Sequence, residues 1–132
     1  MSHYTRISTK LIDRDCLITA LQEMHYPVEQ GNGLSLFGYQ GDVRPQTADI
    51  VIRRNHISAA SNDIGFTWVG DHFDALVSEY DTRLLGKDFL SRLTRLYSYQ
   101  KVKKEVERKG LTIVEEERSE DQSIRLVVRE WV

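Results

Sequence analysis

Cysteine pairs, long apolar runs and a large charge excess of either sign are all missing from this 132-residue chain. Cysteine occurs once, at Cys16, which excludes an internal disulfide framework and any Cys-rich zinc or iron–sulfur site. No run of 18 apolar residues exists, so no spanning helix is expected. The opening Met1-Ser2-His3-Tyr4-Thr5-Arg6-Ile7 holds neither an apolar signal-peptide core nor a small-residue cleavage site. The expected compartment is a reducing cytoplasm, or the plastid stroma if the protein is organelle-encoded. Eighteen Lys and Arg face twenty Asp and Glu, for a net charge of -2. That balance argues against a dedicated nucleic-acid binder, which is usually basic overall.

What remains is an ordinary globular composition, 40% apolar and 29% charged. The length fits one domain, residues 1–132, able to bury roughly two-thirds of its unfolded surface without staples.

Residues 3–12 alternate in polarity. Thr5, Ile7, Thr9 and Leu11 share one face, and Arg6, Ser8 and Lys10 the other, the period of a half-buried strand. Asp13 then offers an acceptor to a first helical turn. Leu17, Ala20, Leu21 and Met24 form one apolar helical stripe, and Pro27 stops the helix near His25.

The middle of the chain reads as strands. Gly31-Asn32-Gly33 predicts a turn, Leu34 to Tyr39 a strand, and Asp42 to Thr47, holding Pro45, a loop. Ala48, Ile50 and Ile52 alternate with Asp49, Val51 and Arg53 in a further strand, and 55–63 is a polar connection. Ile64, Phe66 and Trp68 begin a hairpin that turns at Gly70-Asp71 and returns over His72 to Tyr80.

A second helix is expected from Lys87 to Lys109, with Gly110 as its C-cap. Its apolar stripe is not straight. Phe89, Leu93 and Leu96 share one face, whereas Tyr99, Val102 and Val106 lie around the helix from them. Either the helix bends over its own sheet, or it covers two surfaces in succession, the second being a site for a partner. Leu111–Glu116 and Ile124–Trp131 close the chain as a hairpin. The expected order is β-α-β-β-β-β-α-β-β. It is an α+β domain, one mainly antiparallel sheet of about six or seven strands with two helices on one face.

The chemistry-bearing motifs are weak. No two of His3, His25, His56 and His72 stand at helical ligand spacing. His56, Asp71 and His72 meet only if the strands bring them together. Serines stand in no Gly-x-Ser-x-Gly turn, and Gly31, Gly33, Gly38 and Gly41 do not open a phosphate-binding helix. No catalytic residue, metal or cofactor is assigned. Residues 101–109 hold five positive and two negative charges, net +3, and residues 115–121 hold one positive and five negative, net -4. These stretches are expected to cancel in part. Trp131 shares a strand face with Arg125 and Arg129, a setting for an interaction hot spot or for a tryptophan folded over the sheet edge.

Taken in order, several segments resemble one family. They are Ser2-His3-Tyr4-Thr5-Arg6-Ile7, then Asp13 with Leu17 and Ala20-Leu21, then Ala48-Asp49-Ile50-Val51-Ile52. Asp63-Ile64-Gly65-Phe66 and Ile124-Arg125-Leu126-Val127-Val128 complete the set. Together they are similar to the conserved hypothetical chloroplast reading-frame family, number thirty-five, of red-algal plastids and cyanobacteria. The likeness spans nearly the whole chain. It implies a domain of unknown function and supplies no catalytic residue. Asp81-Thr82-Arg83 departs from the family, which has a more hydrophobic loop there, so no interaction surface is carried over at that point.

Two functions follow as expectations. The first is a non-enzymatic adaptor docking onto a larger protein assembly, such as an AAA+ ATPase system, through Tyr99, Val102, Val106, Arg125, Arg129 and Trp131. The alternative is a small-molecule or metal-binding enzyme using His56, Asp71 and His72.

Overall fold

The computed structural model describes residues 3–120 and 123–130. In chain order the elements are β1 (Tyr4–Ser8), α1 (Arg14–Glu23), β2 (Glu29–Phe37) and β3 (Val43–Ile52). A 3-10 turn at Arg54–His56 leads to β4 (Ile64–Trp68) and β5 (Phe73–Ser78). Two helices follow, α2 (Glu79–Leu85) and α3 (Asp88–Arg108), and then β6 (Leu111–Arg118) and β7 (Ile124–Glu130). The α+β class and the antiparallel main sheet are as the sequence predicts. That sheet has five strands in the order β1-β5-β4-β3-β2.

The closing hairpin does not extend it. β6 and β7 form a two-stranded sheet of their own. The 21 residues of α3 span about 30 Å at 1.5 Å per residue. Gly110, at φ +73, then turns the chain as a left-handed residue after the helix, and β6 packs back against α3.

Three strand-region expectations shift. Gly31-Asn32-Gly33 is not a turn but a bulge inside β2, where the pairing jumps from Gln30↔Ile50 to Leu34↔Ala48. β3 starts at Val43 and includes Pro45. It pairs with β4 only over Ile50–Ile52, so the missing N–H of Pro45 has an unpaired side to face. The strand over His72 to Tyr80 ends at Ser78, where α2 begins. Ser78 Oγ accepts the Asp81 N–H at 3.1 Å and donates to Asp81 Oδ2 at 2.7 Å, a reciprocal cap on the first turn.

Both long helices pack on one face of the main sheet. Leu17, Ala20, Leu21 and Met24 of α1 are buried, as their spacing predicts. They meet Ile50, Ile52, Phe66, Phe73 and the Phe89, Leu93 and Tyr97 of α3. The opposite face holds a smaller cluster of Leu36, Ala48, Val51 and Leu76. Ala48 thus leaves the face of Ile50 and Ile52. Next to it, the Asp49 carboxylate accepts the Trp68 N–H at 2.8 Å, beyond the end of the β3–β4 ladder. The 55–63 connection is tied down by one buried carboxylate. Asp63 accepts from the Phe37 and Arg54 amides and from the Arg53 guanidinium, all within 2.8 Å.

Candidate functional site: the cleft between the long helix and the closing hairpin

α3 is two helices in its packing. Its N-terminal half sends Phe89, Leu93 and Tyr97 into the main core. The Tyr97 hydroxyl accepts two backbone N–H bonds, from Ile12 at 3.0 Å and Asp13 at 2.9 Å, fixing the entry to α1. Asp13 caps α1 through the Cys16 N–H at 3.0 Å and takes Lys104 at 2.6 Å. Partial burial pushes the Asp13 carboxyl up, but the Lys104 and Cys16 hydrogen bonds outweigh it and hold the pKa down at about 2.

The C-terminal half of α3 carries the hairpin. Tyr99 and Val106 are buried, at 8% and 7% exposure, while Val102 between them is 48% exposed. The off-axis stripe therefore covers a second surface, and that surface is the chain's own hairpin. The Tyr99 hydroxyl donates to Glu116 on β6 at 2.7 Å. Arg118 lies over the Tyr99 ring at 5.2 Å and pairs with Glu116 and with Glu23 of α1. Burial, with the neighbouring Glu116 carboxylate, raises the Tyr99 phenol, and the Tyr99 hydroxyl and Arg118 lower the Glu116 carboxyl.

On the β7 side this packing stays open. A cleft of about 400 Å³ runs between α3 and β7, lined by Arg95, Ser98, Tyr99 and Val102 on one wall and by Ile124 and Leu126 on the other. Val128 continues the strand at 41% exposure. The charges around it are uneven. Arg125 pairs across the hairpin with Glu115 and Glu117. Arg92, Arg95 and Arg129 make no ion pair among the described residues. Trp131 lies outside the described residues.

Among the described residues the +3 and -4 stretches share no ion pair, although Lys103 lowers the Glu116 carboxyl electrostatically. Lys101 and Lys104 reach Asp13, Arg108 and Lys109 reach Glu105, and Arg118 and Arg125 serve the glutamates of β6.

The histidine constellation comes together only in part. His72 Nδ1 lies 2.5 Å from Asp71 Oδ1, and Nε2 lies 2.9 Å from Asp74 Oδ1 and 3.3 Å from Ser8 Oγ. The Asp71 hydrogen bond, with Asp74 behind it, raises the imidazole pKa. His56 stands at the other end of β4, past the Ile52↔Ile64 pair, while His72 follows Trp68. Among the described residues no group of three His, Cys, Asp or Glu is placed to hold a metal ion.

With the geometry described, the comparisons decide the family. The family described as "Protein of unknown function (DUF1257)" matches residues 20–127. The chain belongs to the DUF1257 family. It is similar to the "Uncharacterized protein ycf35" of Cyanophora paradoxa, 30% identical over 99% of this chain and 98% of that one. It is also similar to the proteins of the same description from Pyropia yezoensis, at 28%, and Guillardia theta, at 29%, over the same shares of each chain. No solved structure matches the chain. The family found by resemblance in the sequence is thus the family of these relatives. No helix among the described residues is long and apolar enough to cross a membrane.

Arg95 of the DUF1257 cleft was not singled out by sequence reasoning, whereas Arg129 was. A signal was there for Arg95: positions 91, 92, 98 and 99 are Ser, Arg, Ser and Tyr, so no acid stands one helical turn away. Ser8 and Asp74 had no such signal, because only the sheet register brings β1 beside β5.

Proposed function

We propose that this DUF1257 protein is a non-enzymatic accessory subunit that docks a larger protein assembly through the cleft between α3 and β7. One observation carries the reading. An apolar cleft with Val102 exposed at it is also lined by Arg95, which makes no ion pair among the described residues. Buried apolar contact supplies affinity, and a rim of unpaired charge supplies selection. An AAA+ ATPase system is the class of assembly to present first. The cytoplasm or the stroma suits the reading, and Cys16 is a buried free thiol.

The deciding experiment is affinity capture from native extract with quantitative mass spectrometry, using the full chain and Val102→Glu. Val102 is the residue to change, because it is exposed, whereas an acidic Val106 would be buried and would unfold the hairpin. The expected result is a multi-subunit assembly recovered with the wild type and depleted at least tenfold with Val102→Glu. Equal recovery by both overturns the proposal.

A further inference from the structure

The cleft has a strand for one wall, and that strand has a free edge. We infer that the partner docks by strand addition: an extended segment alternating acidic and apolar residues pairs with β7 and covers the cleft. This inference rests on the docking reading above and specifies what docks.

The two strands of the hairpin treat their edges differently. β6 is bulged between Ile113 and Glu115 and carries the consecutive acids Glu115, Glu116 and Glu117, features that discourage further pairing. β7 has neither. It runs Ile124 to Glu130 without proline, lysine or a bulge, and among the described residues it pairs with β6 alone. Seven residues of main chain on its outer side are therefore available as a pairing template.

The side chains specify the segment. Ile124 and Leu126 face the cleft, opposite the Ser98 and Val102 wall of α3. Alternate residues of an added strand point the same way, so they are apolar. The intervening residues stand beside Arg125 and Arg129 on the other face of the sheet, so they are acidic. Arg129, which makes no ion pair among the described residues, sets the choice of sign on that face. A second copy of this chain fits less well. Pairing β7 antiparallel to itself along its whole length, centred on Val127, sets Arg125 opposite Arg129 twice, like charges at direct cross-strand distance.

The test uses the full chain and two synthetic probes, a seven-residue peptide alternating glutamate and valine and its lysine–valine counterpart. Binding is followed by fluorescence anisotropy, and backbone amides by hydrogen exchange. The expected result is saturable binding of the glutamate peptide at least tenfold tighter than the lysine peptide. Alternate β7 amides then gain protection. Arg129→Glu, an exposed strand position, weakens the glutamate peptide at least fivefold without changing the unfolding midpoint. Binding without β7 protection overturns strand addition and leaves the docking reading standing. So does failure of both peptides alongside Val102-dependent capture of an assembly. Self-association of the free chain with protection of β7 overturns it in favour of a second copy. Failure of both peptides together with Val102-independent capture overturns the inference and the docking reading alike.

Discussion

Replacing Tyr97 by phenylalanine removes one oxygen atom and leaves the ring in the core. That oxygen accepts two backbone N–H groups at the entry to α1, those of Ile12 and Asp13. The ring is 6% exposed, so its packing changes little. An unpaired buried donor costs about 1–3 kcal/mol. Ile12 is 52% exposed and its amide can turn to water, so the larger share falls on Asp13. The expected loss is therefore about 2 kcal/mol. For a domain of this length that corresponds to a fall in Tm of roughly 6–10 °C. Urea unfolding at pH 7, followed by tryptophan fluorescence, measures it, with the m-value unchanged. Tyr26→Phe is the control. Its ring packs edge-on against Phe89 at 5.9 Å, and its hydroxyl makes no hydrogen bond among the described residues. The control should lose less than about 0.5 kcal/mol. If Tyr97→Phe matches the control, the hydroxyl does not anchor the α1 entry and the reasoning is refuted.

Three further outcomes follow from the same coordinates. A Cβ added at Gly65 would stand 2.6 Å from the Ala48 Cβ and 3.1 Å from Leu36, and the short Ala48 side chain cannot swing away. Gly65→Ala should cost about 1–3 kcal/mol by overpacking, read from its urea midpoint; a neutral result would show that β3 and β4 can separate there. Asp13 has its folded pKa depressed from 3.8 to about 2, so its stabilisation is complete above pH 4 and is lost as pH falls through 2. Asp13→Ala should remove ~2 kcal/mol of that acid sensitivity between pH 4 and 2, and an unaltered acid limb would contradict the Lys104 pair. His72 has its folded pKa raised above 6.5, chiefly by Asp71, so any stabilisation it brings is present below that value and lost as pH rises through the folded pKa. An NMR titration should show the wild-type imidazole above 6.5 and a lower midpoint in Asp71→Asn; identical midpoints would rule out the 2.5 Å contact in solution.

Much of the fold could be read from local pattern, and the misses share a cause. α1 was legible because Asp13 and the Leu17–Ala20–Leu21–Met24 stripe agree on the same element. α3 was legible from its length and from Gly110 at its end. α2 was missed because alternation over Phe73, Ala75 and Val77 masked the Ser78–Asp81 cap that follows directly. The bulge at 31–33 was read as a turn because glycines serve both, and only the register with β3 separates the two. The candidate site was half legible. The sequence showed that Tyr99, Val102 and Val106 leave the main stripe. It did not show that the chain's own hairpin meets this stripe at Tyr99, since that depends on where α3 delivers the strands after it.

That delivery also sets how the molecule bears load. Leu111 at the start of β6 lies opposite Glu130 at the end of β7. Tension applied just beyond Glu130 draws these two ends apart, so the hairpin opens like a zipper, one pair at a time from the Leu111 end. Among the described residues the two sheets share no strand pair, so none of that force enters the five-stranded sheet through a ladder. It reaches the core through the Arg118–Glu23 pair between β6 and α1 and along α3, where the Tyr97 and Lys104 contacts hold the α1 entry. A machine pulling on this end would strip away the β7 wall of the cleft before disturbing the domain that carries it.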